Sequence, residues 1–304
     1  MPTSPAPRPL DPGVLPDLEG VVDIPGYDRA ALRRSIVHIG VGGFHRAHLA
    51  TYIDDLARDG DTGWSIVGAG LMAGDRRMAE VLDDQGGLYC LISRGAERTD
   101  VRVVGSIVDY VLAAEDPELL IARIADPDVQ IVSLTITEGG YPVDDVTGEF
   151  DPRRMSPGSA FDVLVRALDR RRRHGGEAIT VMSCDNVMAN GDVTRTATLG
   201  AARLVEPDLV PWLEASVAFP NSMVDRITPA TTSADIEWLA ENTGISDAWP
   251  VVAEPFRQWV VEDRFAGERL PLEKIDVIVT DDVAPFELVK LRLLNAGHSS
   301  LAYL

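Results

Sequence analysis

A short β-branched run, Ile36-Val37-His38-Ile39, passes straight into Gly40-Val41-Gly42-Gly43 and then into a stretch of helical periodicity. A strand, a glycine loop and a helix in that order commit a chain to a parallel α/β layer, because the helix must carry the backbone to the start of the next parallel strand. Ala47, Ala50, Ile53, Leu56 and Ala57 recur near a 3.6 period, so residues 44–59 are expected as one helix stopped by Gly60. Residues 64–67 read as a second strand running into Gly68-Ala69-Gly70. Further strands are expected at 130–136 and 179–183, and helices at 117–125, 159–174 and 192–205. The alternation predicts a mostly parallel sheet with helices on both faces. Residues 229–273 hold many turn-formers and no clear period, and are expected as loops and short elements.

The charge balance narrows the partners. The 28 basic against 48 acidic residues give a net charge of −20. A field of that sign repels polyphosphate, which excludes nucleic acid and anionic membrane surfaces as natural partners. No apolar run reaches the roughly 18 to 20 residues that a membrane span needs. The proline-rich start has no apolar core of a secretory signal, so residues 1–25 are expected as a flexible tail. Cys90 and Cys184 lie far apart in sequence, and reduced thiols in a cytoplasmic chain are the simpler expectation. A dinucleotide-binding domain is expected over 26–283.

Residues 285–304, PFELVKLRLLNAGHSSLAYL, form a strongly apolar helix-like stretch with no breaker before the last residue. Such a helix leaves apolar surface without a partner. The expectation is that 284–304 opens a second, mostly helical domain that is cut short. The alternative is a terminal helix docked on the first domain.

Four places carry candidate chemistry. In the loop Gly40-Val41-Gly42-Gly43-Phe44, glycines let backbone N–H groups approach a pyrophosphate at a helix start. His45 stands where the third fingerprint glycine would be, so the loop reads either as a nucleotide site or as a structural turn. Asp75, after the second strand, suits an adenosine ribose, with Arg76 and Arg77 suited to a 2′-phosphate; it equally suits a helix cap. At the ends of two later strands stand Glu138-Gly139-Gly140, open to a flat ring or ribose, and Asn186, a donor to a developing alkoxide or a cap for the following helix. In the last segment Lys290, Asn295 and His298 fall at about 0°, 140° and 80° around one helix. Lys290 on that apolar helix reads as a general base of lowered pKa or as a snorkelling side chain. Glu287, one turn earlier, is an ion-pair partner or a proton path to solvent. His45 and His48 are one helical turn apart, but no third metal ligand is evident.

Several longer motifs follow in fixed order: Ile36 to His48, Ser133-Leu-Thr-Ile-Thr-Glu-Gly-Gly-Tyr141, Thr180-Val-Met-Ser-Cys-Asp-Asn186, Phe219-Pro-Asn-Ser-Met-Val-Asp-Arg-Ile-Thr-Pro229, Trp249-Pro-Val-Val-Ala-Glu-Pro-Phe256, and Lys290 with Asn295 and His298. Together they resemble the polyol-specific long-chain dehydrogenase/reductase family, its mannitol-oxidising members most closely. The resemblance covers nearly the whole chain from Ile36. It implies a Rossmann-like domain followed by a helical substrate domain, and metal-independent, NAD- or NADP-dependent oxidation of a polyol to a ketose, D-mannitol to D-fructose. It implies Lys290 as base, Asn186 and Asn295 as oxyanion donors, and His298 as a substrate-orienting residue. It further implies Glu287 as the acid of the proton path and Asp225 as a substrate-pocket residue. Gly40, Gly42, Gly43, Phe44, Asp75, Glu138 and Gly139 are the expected coenzyme contacts. Gly74 stands where the family's ribose site has a first acid. The family also contains fructuronate and tagaturonate reductases and arabinitol dehydrogenases, and a nucleotide-binding module without turnover is the reading from another class.

Overall fold

The computed structural model describes residues 6–290. The chain divides into two compact units, one of Met1–Val129 with Arg226–Arg257, the other of Gln130–Asp225 with Gln258–Leu304.

In the first unit the strand Ile36–Ile39 is wholly buried and lies parallel to Ile66–Gly70, with Ile36 opposite Ile66. Near-continuous burial on both faces is the signature of a parallel strand covered on two sides. The connection between them is two helices, Gly43–Ala47 and Leu49–Arg58, where periodicity predicts one. The break falls at His48, whose backbone leaves the helical region at φ −115°, ψ −92°. There the His48 ring stacks on Phe44 at 5.0 Å and meets the edge of Tyr52 at 5.1 Å. Apolar spacing cannot register a one-residue backbone kink of this kind. The second strand includes Gly68 to Gly70 rather than ending before them.

After the helix Arg76–Asp84, an antiparallel hairpin, Tyr89–Arg94 with Thr99–Val104, interrupts the crossover. The strand Ile107–Leu112 then returns parallel to Ile66–Gly70. The strand Val251–Ala253 adds in parallel to Tyr89–Arg94. The helix Ser233–Thr243 lies inside the stretch expected as loops. Its start is fixed by a reciprocal cap between Thr232 and Asp235, and its end by Gly244 at φ 71°.

The expectation of a flexible tail over 1–25 fails from Arg8 onward. Arg8–Pro9 pairs in parallel with Ile245–Ser246. Leu10 and Leu18 are buried with Leu88, Cys90, Ile92, Val103, Leu239, Ile245 and Val252. Proline is compatible with an edge strand, and two well-spaced leucines are enough to anchor the segment.

In the second unit Ile131–Leu134 lies parallel to Ile179–Ser183, which in turn lies parallel to Val217–Ala218. The helices Ala160–Arg173 and Asn190–Val205 make the crossovers. A second small sheet sets Ser222–Asp225 antiparallel to Gln258–Glu262, with Ile278–Thr280 parallel on its far side. The helix Ala284–Val289 then brings in Lys290. Among the described residues no helix is long and apolar enough to cross a membrane.

Candidate active site

The glycine loop of the first unit turns at Gly40, where φ is +95° and only glycine is comfortable. No side chain caps the helix that starts at Gly43. A Cβ on Gly42 would meet nothing nearer than the Gly40 carbonyl at 3.9 Å, so the face of the loop is open to an approaching phosphate. A Cβ on Gly43 would lie 3.5 Å from Thr228, an ordinary contact, so packing alone does not demand glycine there. Phe44, half-buried, turns its ring onto His48.

His45 is buried in the core under the loop. Its ring stacks on His38 with centroids 3.5 Å apart and planes 12° from parallel. His38 hydrogen-bonds the backbone of Gly40, and burial pushes its pKa down to about 3. Burial also drives His45 well below the ordinary imidazole value, with His38, Arg46 and His48 adding to it. Among the described residues neither ring nitrogen of His45 has a hydrogen-bond partner. The pair is therefore two neutral rings bracing the loop. Among the described residues no three His, Cys, Asp or Glu side chains are grouped to hold a metal ion.

At the end of Ile66–Gly70, Asp75 Oδ2 accepts the Met72 N–H at 2.9 Å, the reciprocal half of a helix cap. A Cβ on Gly70 would collide with Asp75 and with the Tyr110 hydroxyl, so glycine here lets both close over the strand end. Tyr110 Oη is buried and has no hydrogen-bond partner among the described residues, and burial together with Asp75 raises its pKa. Arg76 pairs with Glu115 at 2.5 Å, and Arg77 lies over the Trp249 ring at 4.4 Å.

The second unit carries the acid-base candidates. Lys290 is 9% exposed, and its Nζ donates to Asn186 Oδ1 at 2.9 Å and to the Val224 carbonyl at 2.5 Å. Asp225 Oδ1 lies 3.6 Å from the same nitrogen. Burial lowers the Lys290 pKa, while Asp225 and Glu287 oppose it. Asn186 therefore faces a lysine; the helix after it, Asn190–Val205, has Ala189 at its cap position and no side-chain cap. Glu287 is buried, and its Oε1 accepts the Ala189 N–H at 3.0 Å at the start of that helix. Burial raises its pKa, and the Ala189 hydrogen bond counters this. Asn186, Met188, Val224, Glu287 and Lys290 line a small cavity of about 70 Å³.

Asn190 stitches this cavity together. Its Nδ2 donates to the Asp185 carbonyl at 3.0 Å and the Ser222 carbonyl at 2.8 Å, and its Oδ1 accepts the Ser222 N–H at 2.8 Å. The Asn186 strand end and the Val224–Asp225 strand are thereby held in one register. Glu138 and Gly139 sit in an exposed turn, Glu138–Gly140, and a Cβ at Gly139 would meet nothing within 4 Å. Lys290, Asn186, Glu287 and Asp225 thus come together, while Asn295 and His298 lie outside the described residues. Sequence reasoning missed the Val224 carbonyl, a backbone acceptor that no residue type signals. It also missed Tyr110, which only strand pairing brings beside Asp75.

A family model described as the mannitol dehydrogenase Rossmann domain matches residues 34–274. A mannitol 2-dehydrogenase of Aspergillus clavatus is 47% identical over 302 residues, covering 94% of this chain and 60% of the relative. A polyol:NADP oxidoreductase of Gluconobacter oxydans is 44% identical over 302 residues, covering 95% of this chain and 62% of the relative. Among solved structures, the Pseudomonas fluorescens mannitol 2-dehydrogenase ternary complex with NAD and D-mannitol superposes with a TM-score of 0.93 at 47% identity, covering 98% of this chain and 63% of that one. The chain spans about 60% of the length of the curated relatives it matches. The match over the α/β region and identities of this size show that the chain belongs to the mannitol dehydrogenase family and carries its Rossmann domain.

Proposed function

We propose that this chain supplies the coenzyme-binding and proton-transfer parts of an NAD(P)-dependent polyol dehydrogenase that oxidises D-mannitol to D-fructose. The observation that carries the reading is the buried Lys290 Nζ held against Asn186. Because Asn186 Oδ1 accepts from the lysine, its amide N–H groups remain as the donors it can offer to a substrate oxygen. Neutral Lys290 takes the C2 hydroxyl proton, and Asn186 with Asn295 holds the oxygen as charge develops on it. A nicotinamide, when bound, would supply the hydride acceptor for C2; this chain's part is to take the hydroxyl proton at Lys290 Nζ. Asp225 holds the amine in register for the next proton, and Glu287, at a helix start beside the cavity, passes protons toward solvent.

The residues present suit a nicotinamide coenzyme. The open face of Gly40-Val41-Gly42 fits a pyrophosphate, and the Tyr110 Oη beside Asp75, unpaired among the described residues, fits a ribose hydroxyl. Asp75 favours NAD over NADP by repelling a 2′-phosphate. Gly43, Phe44, Glu138 and Gly139 are the further contacts, and His298 orients the sugar chain. The helix Ala284–Val289 opens the substrate-binding domain in this reading, with 26–283 as the coenzyme domain. The location is cytoplasmic, with Cys90 and Cys184 as buried free thiols.

The test is absorbance of reduced nicotinamide formed from D-mannitol with NAD or NADP, beside D-sorbitol and D-arabinitol. Lys290→Ala is expected to lower turnover by about 10²- to 10⁴-fold with coenzyme affinity unchanged. A variant that keeps more than about a tenth of the activity would assign the base to another residue.

A further inference from the structure

Asp185 lies just past the strand Ile179–Ser183 and is buried. Its carboxylate receives three donors from one segment. Oδ2 accepts the Ile136 N–H at 3.0 Å and the Tyr141 hydroxyl at 2.7 Å, and Oδ1 accepts the Thr137 N–H at 2.9 Å. The Tyr141 oxygen is also 2.7 Å from Ser183 Oγ. Thr137 adopts φ 62°, ψ 166°, a backbone region nearly reserved for glycine. A β-branched residue persists there only where its surroundings over-determine it, and the Asp185 carboxylate is the group that grips its N–H. On its other side the Asp185 carbonyl is held by Asn190, and the next residue is Asn186, which bonds Lys290.

We propose that Asp185 is a positioning residue whose carboxylate clamps the strained Ile136–Thr137 backbone, holding the Thr137–Gly140 turn in place from the same strand end that presents Asn186. The functional consequence rests on the coenzyme reading of Glu138 and Gly139 given above. A carboxylate suits the task because its two oxygens accept all three hydrogens. An asparagine keeps one acceptor and sets an N–H against the remaining donors. Burial raises the Asp185 pKa, and the bonds from Tyr141, Ile136 and Thr137 pull it back.

The experiment compares the 304-residue protein with Asp185→Asn, Tyr141→Phe and the double variant Asp185→Asn/Thr137→Gly. Hydrogen-exchange mass spectrometry follows peptides over 131–141, and fluorescence titration follows NADH affinity. Loss of the clamp is expected to speed exchange at 136 and 137 and to weaken NADH binding by about tenfold, with a smaller effect in Tyr141→Phe. Glycine accepts the Thr137 conformation without strain, so the double variant is expected to recover the affinity, and a thermal midpoint measured beside it separates the turn's geometry from overall stability. Unchanged exchange in both single variants overturns the clamp whether or not NADH binds. Should Asp185→Asn not fold, Tyr141→Phe alone decides. Faster exchange with full NADH affinity, or no rescue by glycine, overturns the positioning role. Wild-type protein that fails to bind NADH refutes the coenzyme reading instead, and leaves the exchange result to judge the clamp.

Discussion

Mild acid should destabilise this protein from beneath its glycine loop. An unfolded imidazole titrates near 6.5, whereas burial holds His38 at about 3 and His45 well below its usual value. Between those limits the unfolded chain binds protons that the folded chain refuses. Stability is therefore complete above about pH 6.5 and is lost as pH falls, at about 1.4 kcal/mol per pH unit for each ring. At pH 4.5 His38 alone removes about 3 kcal/mol, roughly half the stability of a marginal domain, and His45 acts in the same direction. Urea unfolding followed by tryptophan fluorescence at pH 7, 6 and 5 measures the slope. His38→Asn keeps a polar group near the Gly40 backbone but cannot titrate in this range. The variant should lose about 1.4 kcal/mol per pH unit of the wild-type dependence below 6. The raised carboxylates Asp185, Asp247 and Glu287 act with the opposite sign, but they are common to both proteins and cancel in the comparison. Equal slopes in the two proteins would mean that His38 is protonated within the fold, and the account of a neutral stacked pair would be wrong.

Three further outcomes are expected. Polyol oxidation should rise with pH through a midpoint below that of a free lysine, since burial lowers the Lys290 pKa; Asp225→Asn removes an opposing charge and should move that midpoint lower still, and an upward move would contradict the geometry. Gly42→Val should keep native circular dichroism, because the site has space and extended backbone, yet lose NADH affinity as the side chain fills the loop face; full affinity would place the pyrophosphate elsewhere. Gly191→Ala should destabilise by about 1 to 3 kcal/mol in thermal or urea unfolding, because the new Cβ meets the rigid Pro220 backbone carbonyl; a neutral result would show that the helix start can shift away.

The sequence alone determined the strand and glycine loop at 36–43 and the helical character of the residues after it, the helices at 117–125 and 160–173, and the family through its ordered motifs. These features are written in neighbouring residues, because backbone sterics and apolar periodicity act over a few positions. The tertiary structure decided what is not local. It placed Lys290 against Asn186 across 104 residues and against the Val224 carbonyl across 66. It seated Leu10 and Leu18 in a core whose other members come mainly from the hairpin and from residues near 240 and 250. It also bent the helix at His48 and put Tyr110 beside Asp75. No residue type announces such meetings, since they depend on which strands pair and in what register. Lys290 shows the division most clearly: its apolar neighbours in sequence make it a candidate base, but only the folded strand ends give that lysine its acceptors and its charge environment.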